Sequence, residues 1–121
     1  VECTPANECN PVTNEGCDGG AGEACDLGSA FVCFPAPNDV ALGGACDAGA
    51  GPWCIAGHTC IPETNQCGRY CCADGDCGTG VCNFDIYGDP AVGICVTAAG
   101  AITPALDAPA VSPSGGTCGD F

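Results

Sequence analysis

The sequence predicts a small disulfide-rich fold of short β-hairpins and loops with little helix. We expect two or more tandem mini-modules followed by an extended C-terminal tail. Fifteen of the 121 residues are Cys, a density typical of disulfide scaffolds in oxidising compartments. Gly and Pro contribute 20 and 10 residues, which favours turns over long helices. Large apolar side chains are scarce, so crosslinks must supply stability that a thin core cannot.

The charge balance excludes several classes of function. Fifteen Asp or Glu residues stand against one basic residue, Arg69, and the formal net charge is −14. Nucleic acids and anionic membranes repel such a chain. The sequence also contains no apolar run of the roughly 20 residues that a membrane span requires. Together with the cysteine density, these features predict a secreted protein that lies outside the cell or at its surface.

Cysteine spacing and composition divide the chain into three predicted parts. An N-terminal cysteine-rich module spans residues 1–37, where four cysteines recur with seven residues between neighbours. One or more further cysteine-rich modules span residues 38–97, after a turn-forming Pro-Ala-Pro-Asn stretch. Residues 98–121 form a tail rich in Pro, Ala, Ser and Thr that Cys118 closes. Alone, a segment of that composition is extended or flexible.

An internal repeat predicts how some of the hairpins begin. Residues 22–34 and 43–55 both read G-x-A-C-D-x-G-x4-C-apolar. Because Asp bonds to its own backbone and Gly adopts positive φ, we expect a tight turn at Asp-x-Gly that leads into a short strand. Alternation and β-branched content predict four strands: Ala30–Phe34, His58–Ile61, Val81–Phe84 and Val92–Thr97.

The odd number of cysteines leaves one sulfur without an intrachain partner. We expect Cys3 to be this residue if Cys118 ties the tail to the second region; Cys3 is then interchain-bonded, free or capped. A different odd residue remains an alternative, and the connectivity is not readable from the sequence. The adjacent Cys71 and Cys72 are expected to reach different partners. The cysteines expected in disulfides are Cys9, Cys17, Cys25, Cys33, Cys46, Cys54, Cys60, Cys67, Cys71, Cys72, Cys77, Cys82, Cys95 and Cys118.

Residues 43–82 read G-x-A-C-D, C-x5-C and C-G-R-Y-C-C-A-D-G-D-C-G-x-G-x-C in turn. This pattern resembles cysteine-rich repeats of secreted and surface proteins of some Gram-negative bacteria. Cys9-Asn10-Pro11-Val12 with Cys17 looks like the opening of the same kind of repeat. More loosely, residues 60–82 are similar to the colipase and Dickkopf type of module. The resemblance implies disulfide-linked finger-like hairpins outside the cytoplasm and brings no catalytic residues.

Metal and cofactor chemistry is weakly indicated. The chain has no C-x-C or C-x2-C pair and one His, which argues against a zinc or iron–sulfur site. No cofactor is expected, with calcium as the one candidate ion, because hard oxygen ligands lie close together in sequence. Solvated turn aspartates are the competing interpretation. The candidate calcium ligands are Asp74, Asp76, Asp85 and Asp89.

Catalysis is not expected. His58 could act with Ser29, Ser112 or Ser114 as a nucleophile pair, but a half-exposed turn residue is the simpler interpretation of His58. Trp53, Tyr70 and Tyr87 could form a stacking surface for a glycan or partner, or Trp53 could pack on the disulfides. The Pro- and Ala-rich context makes five hydroxyl residues candidates for O-glycosylation: Thr97, Thr103, Ser112, Ser114 and Thr117.

Two functions follow as hypotheses. The first is a non-enzymatic extracellular structural protein, a disulfide-stabilised subunit of a surface fibre or other assembly. In this hypothesis, extended residues 98–106 add to the sheet edge of a neighbouring copy, producing a homo-oligomer or filament. The alternative is a secreted binding module, such as an inhibitor, adhesin or carbohydrate binder, that presents loops from a rigid scaffold.

Overall fold

The computed structural model describes residues 9–27, 30–47, 49–85, 92–98 and 102–108. Within these ranges, no helix is long and apolar enough to cross a membrane. The regular elements of this described part of the chain are two 3-10 helices and six strands: Gly19–Ala21, β1 (Ala24–Leu27), β2 (Phe31–Phe34), β3 (His58–Ile61), β4 (Gln66–Cys71), Asp74–Cys77, β5 (Val81–Asn83) and β6 (Gly93–Val96).

The strands form two antiparallel sheets. β1 and β2 make a two-stranded hairpin, and the other four strands form a sheet in the order β3-β4-β6-β5. The predicted class, a small disulfide-rich fold of short hairpins, is confirmed. The predicted module boundaries at residues 37 and 97 stay predictions.

Four strands lie where the sequence predicted them. β3 coincides with its predicted range, β2 and β5 differ from theirs by one residue at one end, and β6 is shorter than predicted by one residue at each end. β1 and β4 were not predicted from the sequence. Asp26 interrupts the strand-like pattern of residues in β1, and Gly68 and Arg69 interrupt it in β4. Asp and Gly are disfavoured in strands.

Gly68 is required by close packing inside the four-stranded sheet. A Cβ at this position would lie 2.6 Å from Ile61 Cδ1 and 2.9 Å from Ile94 Cγ2. Real Cβ atoms do not approach carbon atoms so closely, so any side chain at position 68 would displace both isoleucines. The residue that weakened the strand signal in the sequence therefore lets three strands pack tightly together.

Twelve cysteines form three successive groups of four, here called the first, second and third quartets. In each quartet the first cysteine bonds to the third and the second bonds to the fourth. The six disulfides are Cys9–Cys25 and Cys17–Cys33, Cys46–Cys60 and Cys54–Cys67, and Cys71–Cys82 and Cys77–Cys95. Cys72 is disulfide-bonded as well, so Cys71 and Cys72 have different partners. Cys3 and Cys118 lie outside the described residues.

Each quartet fastens one antiparallel strand pair to the chain segment that precedes it. The third and fourth cysteines oppose each other across the pair in all three cases: Cys25 and Cys33, Cys60 and Cys67, and Cys82 and Cys95. The first and second cysteines lie before the pair and bond to opposite strands. Sequence separations of 11 to 18 residues correspond to about 3 kcal/mol per crosslink in the chain-entropy model.

The internal repeat in the sequence does not repeat in the structure. Cys25 and Cys33 are the third and fourth members of their quartet, whereas Cys46 and Cys54 are the first and second members of theirs. In the second copy, the Asp47 carboxylate accepts the N–H of Gly49 at 2.8 Å, as expected for an Asp-x-Gly turn. In the first copy the equivalent aspartate lies within β1. The two copies therefore occupy different positions in their quartets, and the expected turn of the first copy includes Gly28, which lies outside the described residues.

The β1–β2 hairpin packs on the four-stranded sheet through a small aromatic core. Phe31 and Tyr70 are buried and meet edge to face, with ring centroids 5.8 Å apart and an interplanar angle of 84°. Ile61 and Ile94 complete the cluster from the sheet side. The Tyr70 hydroxyl also donates a hydrogen bond to the Asp26 carboxylate on β1. One tyrosine therefore holds the first quartet to the sheet by both packing and hydrogen bonding.

Part of the predicted tail packs on the chain's own sheet. Pro104 forms a bridge with Val96, and the Ala105 N–H donates to the Cys95 carbonyl at 3.1 Å. Asp107 accepts hydrogen bonds from the backbone N–H and the hydroxyl of Thr79 at 3.1 Å and 2.7 Å. Residues 103–105 thus pair with residues 95–97, at the end of the inner strand β6 of the same molecule, and Ala105 is buried.

We predict that Phe31→Ala destabilises the oxidised protein by about 3–5 kcal/mol, because a buried aromatic ring leaves a cavity. Phe31→Leu retains most of the apolar volume and should cost clearly less. Guanidinium unfolding with all disulfides intact measures both free energies. A loss below about 1 kcal/mol for Phe31→Ala would show that this ring does not hold the hairpin to the sheet.

Candidate binding groove

A groove of about 440 Å³ lies between the β1–β2 hairpin and the second quartet. This volume falls in the range of small-ligand sites. Its wall combines residues of the hairpin, the Pro-Ala-Pro-Asn turn, the segment at Trp53 and strand β3. The lining residues are Asp26, Leu27, Phe34, Pro35, Ala36, Asn38, Trp53, Cys54, Thr59 and Cys60.

Three large apolar side chains of the groove are open to solvent. Leu27, Phe34 and Trp53 are 37%, 38% and 40% exposed. Single exposed apolar residues are ordinary, but these three line one concavity in a chain that has few large apolar side chains. A shared, concave apolar surface with a few polar groups is the usual form of a binding site.

Backbone hydrogen bonds fix the position of Trp53. Its carbonyl accepts the N–H groups of Asp39 and Val40, each at 3.1 Å. The following residue, Cys54, forms a bridge with Val40 and a disulfide with Cys67. Gly51 has a φ of +78°, and a Cβ there would lie 2.8 Å from the indole ring. The backbone turn therefore passes directly beside the indole, where no other residue fits.

Asn38 fixes the turn that forms another part of the wall. Its side-chain amide donates to the carbonyls of Gly22 at 2.9 Å, Pro35 at 3.1 Å and Phe34 at 3.2 Å. These bonds tie the turn to both ends of the hairpin region. The backbone of Phe34 is consequently fixed on both sides. It follows Cys33, which is bonded to Cys17, and it precedes the turn that Asn38 ties down.

Asp26 supplies the negative charge of the groove. It is half-buried on β1, and its carboxylate accepts the Tyr70 hydroxyl and the Leu27 N–H, the latter at 2.8 Å. Burial raises the pKa of Asp26 above its ordinary value, while hydrogen bonds from Tyr70, Leu27 and Thr59 oppose the rise. All three donors are neutral. The carboxylate is thus oriented by hydrogen bonds but not neutralised by them.

Both basic side chains of the protein lie inside it. Arg69 on β4 is 3% exposed, and it faces His58 across the β3–β4 pair. Burial lowers the pKa of Arg69, while the charge of the fully buried Asp76 raises it. Burial also lowers the pKa of His58, and the nearby Arg69 adds to that effect. The expectation that His58 is a half-exposed turn residue was wrong, because it is the buried first residue of β3.

The aspartates proposed as calcium ligands cap backbone groups. Asp76 accepts the N–H groups of Cys72 and Ala73 at 2.8 Å and 3.2 Å. Asp74 accepts the N–H of Cys82 at 2.9 Å. Asp85 is exposed, and Asp89 lies outside the described residues. Calcium binding stays a prediction.

The remaining predicted residues are scattered. Of the three proposed stacking aromatics, Trp53 is exposed, Tyr70 is fully buried and Tyr87 lies outside the described residues. A stacking surface that includes Tyr70 was therefore wrong. Among the O-glycosylation candidates, Thr103 is exposed and Thr97 is half-buried. The other three glycosylation candidates, Ser112, Ser114 and Thr117, lie outside the described residues, as does Ser29, which was considered only as a nucleophile.

Sequence reasoning missed most of the groove. Asp26, Leu27 and Phe34 come from one hairpin, whereas Trp53 and Thr59 come from the next quartet. Their proximity depends on how the quartets pack, which no local motif encodes. The one available signal was the placement of large apolar residues beside turn-forming prolines, at Phe34-Pro35 and Pro52-Trp53.

Comparison of the chain with family models, with curated proteins and with solved structures found no match. The resemblance to bacterial cysteine-rich repeats and to colipase- and Dickkopf-type modules stays a prediction.

We predict that Asp26→Asn changes how stability depends on pH. Because the folded pKa of Asp26 lies above its unfolded value near 3.8, the folded state retains a proton that the unfolded chain has released. The contribution of Asp26 is therefore fully present below that unfolded value and lost as pH rises through the folded pKa.

Urea unfolding of wild type and Asp26→Asn at closely spaced pH values from 3 to about 7 tests this sign. The difference in unfolding free energy between the two proteins should shift in favour of Asp26→Asn as pH rises. A difference that is constant with pH, or that shifts toward wild type, would contradict the assignment of a buried, unneutralised carboxylate.

Proposed function

We propose that this protein is a non-enzymatic extracellular binding module that presents the groove beside Trp53 from a disulfide scaffold. The supporting observation is the convergence of exposed Leu27, Phe34 and Trp53 on one concave surface. The dense disulfides belong to an oxidising compartment, and an extracellular location is the simplest such compartment for a small crosslinked protein.

Rigidity favours recognition at this surface. Cys54 and Cys60 line the groove, and their disulfides to Cys67 and Cys46 hold its wall in place. Asn38 holds the opposing turn. A partner that binds here needs to order little of the protein, so less of the contact energy is offset by lost conformational freedom.

The polar groups of the groove suit binding better than chemistry. Asp26, Asn38 and Thr59 provide a carboxylate, an amide and a hydroxyl. Asn38 and Asp26 already make hydrogen bonds that hold the wall together. Such groups orient a ligand, and the apolar side chains around them contribute contact area.

The fibre-subunit hypothesis is a second candidate, which the thin core and odd cysteine count motivated. It required residues 98–106 to add to the sheet of a neighbour. Residues 103–105 instead pair with residues 95–97 of their own molecule. A donor-strand assembly would first have to break that pairing and expose buried Ala105. The binding module needs no such rearrangement.

We predict that a random octapeptide display library, selected on the immobilised oxidised protein, yields peptides that depend on Trp53. Trp53→Ala should weaken them by tenfold or more, since buried interface tryptophans commonly contribute 2 kcal/mol or more. Leu106→Ala is the matched control, because Leu106 is 67% exposed and lies outside the groove. Its affinity for the same peptides should equal that of wild type.

Two results would contradict the binding-module proposal. One is a selection that enriches no peptide above the background of an unrelated disulfide-rich protein. The other is enriched peptides that bind wild type and Trp53→Ala with equal affinity. Far-ultraviolet circular dichroism and a free-thiol content equal to that of wild type must first show that each variant is folded and oxidised.

A further inference from the structure

We infer that the groove binds a basic segment of another protein, with an Arg or Lys side chain lying along Trp53 and Phe34 and its charged end at Asp26. This inference rests on the proposed binding function and names the chemistry of the partner. It follows from the placement of charge in the molecule, from the donors around Asp26 and from the aromatic wall.

The charged side chains at the exterior of the described residues are all acidic. The chain carries fifteen Asp or Glu residues and no Lys. Its one Arg and its one His are buried, at 3% and 7% exposure. No basic side chain is therefore available at the surface to balance the carboxylates. A field of this kind attracts partners that carry several positive charges and speeds their association.

Asp26 provides a specific receptor for one of those charges. Its hydrogen-bond donors, Tyr70, Leu27 and Thr59, are all neutral. Arg69 interacts instead with Asp76 and lies opposite His58. In this partly desolvated setting burial raises the pKa of Asp26, so an incoming cation would stabilise the ionised carboxylate more strongly than at an open surface.

The aromatic wall selects among cations. Arg and Lys each combine a long apolar stem with a charged end. The stem can pack against Leu27 and Phe34, and the cation can interact with the faces of Phe34 and Trp53. A wholly apolar ligand would cover Asp26 without neutralising it, which is costly. An anionic ligand would be repelled both by Asp26 and by the net charge of −14.

A segment of a protein fits these features better than an isolated small amine. The groove has a volume of about 440 Å³, which is enough for one long side chain together with part of its backbone. The surrounding acidic exterior adds attraction only if the ligand carries further positive charges. A basic peptide segment supplies these, whereas a single alkylammonium or alkylguanidinium ion does not.

The peptides enriched in the octapeptide selection test the inference. We expect Arg or Lys next to an aliphatic or aromatic residue in the peptides that depend on Trp53. Affinity is measured by the fluorescence of Trp53, the one Trp of the chain, with Trp-free synthetic peptides. Asp26→Asn should weaken binding by tenfold or more, whereas Glu63→Gln should change it less than twofold. Glu63 is exposed and outside the groove, so it controls for net charge.

Changes in the peptide provide a test that does not depend on the folding of a variant. Replacing the critical Arg or Lys by Gln should weaken binding to wild type by tenfold or more, and replacement by Glu should abolish it. Butylguanidinium alone should bind at least a hundredfold more weakly than the peptide. Equal affinity of butylguanidinium and the peptide would overturn the assignment to a protein segment.

The outcomes separate this inference from the binding proposal itself. Enriched peptides that are neutral or acidic but still require Trp53 would overturn the basic-segment inference and leave the binding proposal standing. Basic peptides whose affinity falls equally in Asp26→Asn and Glu63→Gln would also overturn the inference, because only net charge would then matter. A selection without Trp53-dependent peptides would overturn both.

Discussion

The interlaced disulfide pair at each strand pair is the constraint on which the rest of the structure depends. Two sulfur bridges tie a preceding segment to both strands of an antiparallel pair, and the same pairing order occurs in all three quartets. Isolated two-stranded hairpins are marginal in water. The crosslinks reduce the conformational entropy of the unfolded chain. Such short strands are therefore stable without a large core. Because the crosslinks stabilise the fold, several of the few large apolar side chains are not needed in the core and lie at the surface.

What joins the quartets is packing and a small number of buried polar contacts. Tyr70 meets Phe31 edge to face and donates to Asp26, so a single side chain connects the first hairpin with the four-stranded sheet. Arg69 and Asp76 bring opposite charges into the interior. The consequence for function is an exterior without basic side chains and a groove whose acid is held by neutral donors. Stability and recognition therefore depend on the same contacts around β1 and β4.

The sequence predicted the class of fold and most of the strands, but not the arrangement that creates the groove. Cysteine density and β-branched alternation were sufficient for β2, β3, β5 and β6, because these signals are local. β4 was not predicted because Gly68 and Arg69 are unusual in a strand. Their presence is explained by tertiary contacts: Gly68 packs against Ile61 and Ile94, and the buried Arg69 interacts with Asp76. The repeated G-x-A-C-D motif was misleading, because its two copies occupy different positions within their quartets. Quartet membership is a long-range property that spacing alone does not determine.

Disulfide mapping of the native protein tests the central claim most directly. Digestion under non-reducing, mildly acidic conditions followed by mass spectrometry identifies which peptides are linked. The account predicts linkage of the first with the third and of the second with the fourth cysteine in every quartet, as in Cys46–Cys60 and Cys54–Cys67. Bonds between neighbouring cysteines, such as Cys46 with Cys54, or reduced thiols at these positions would contradict it.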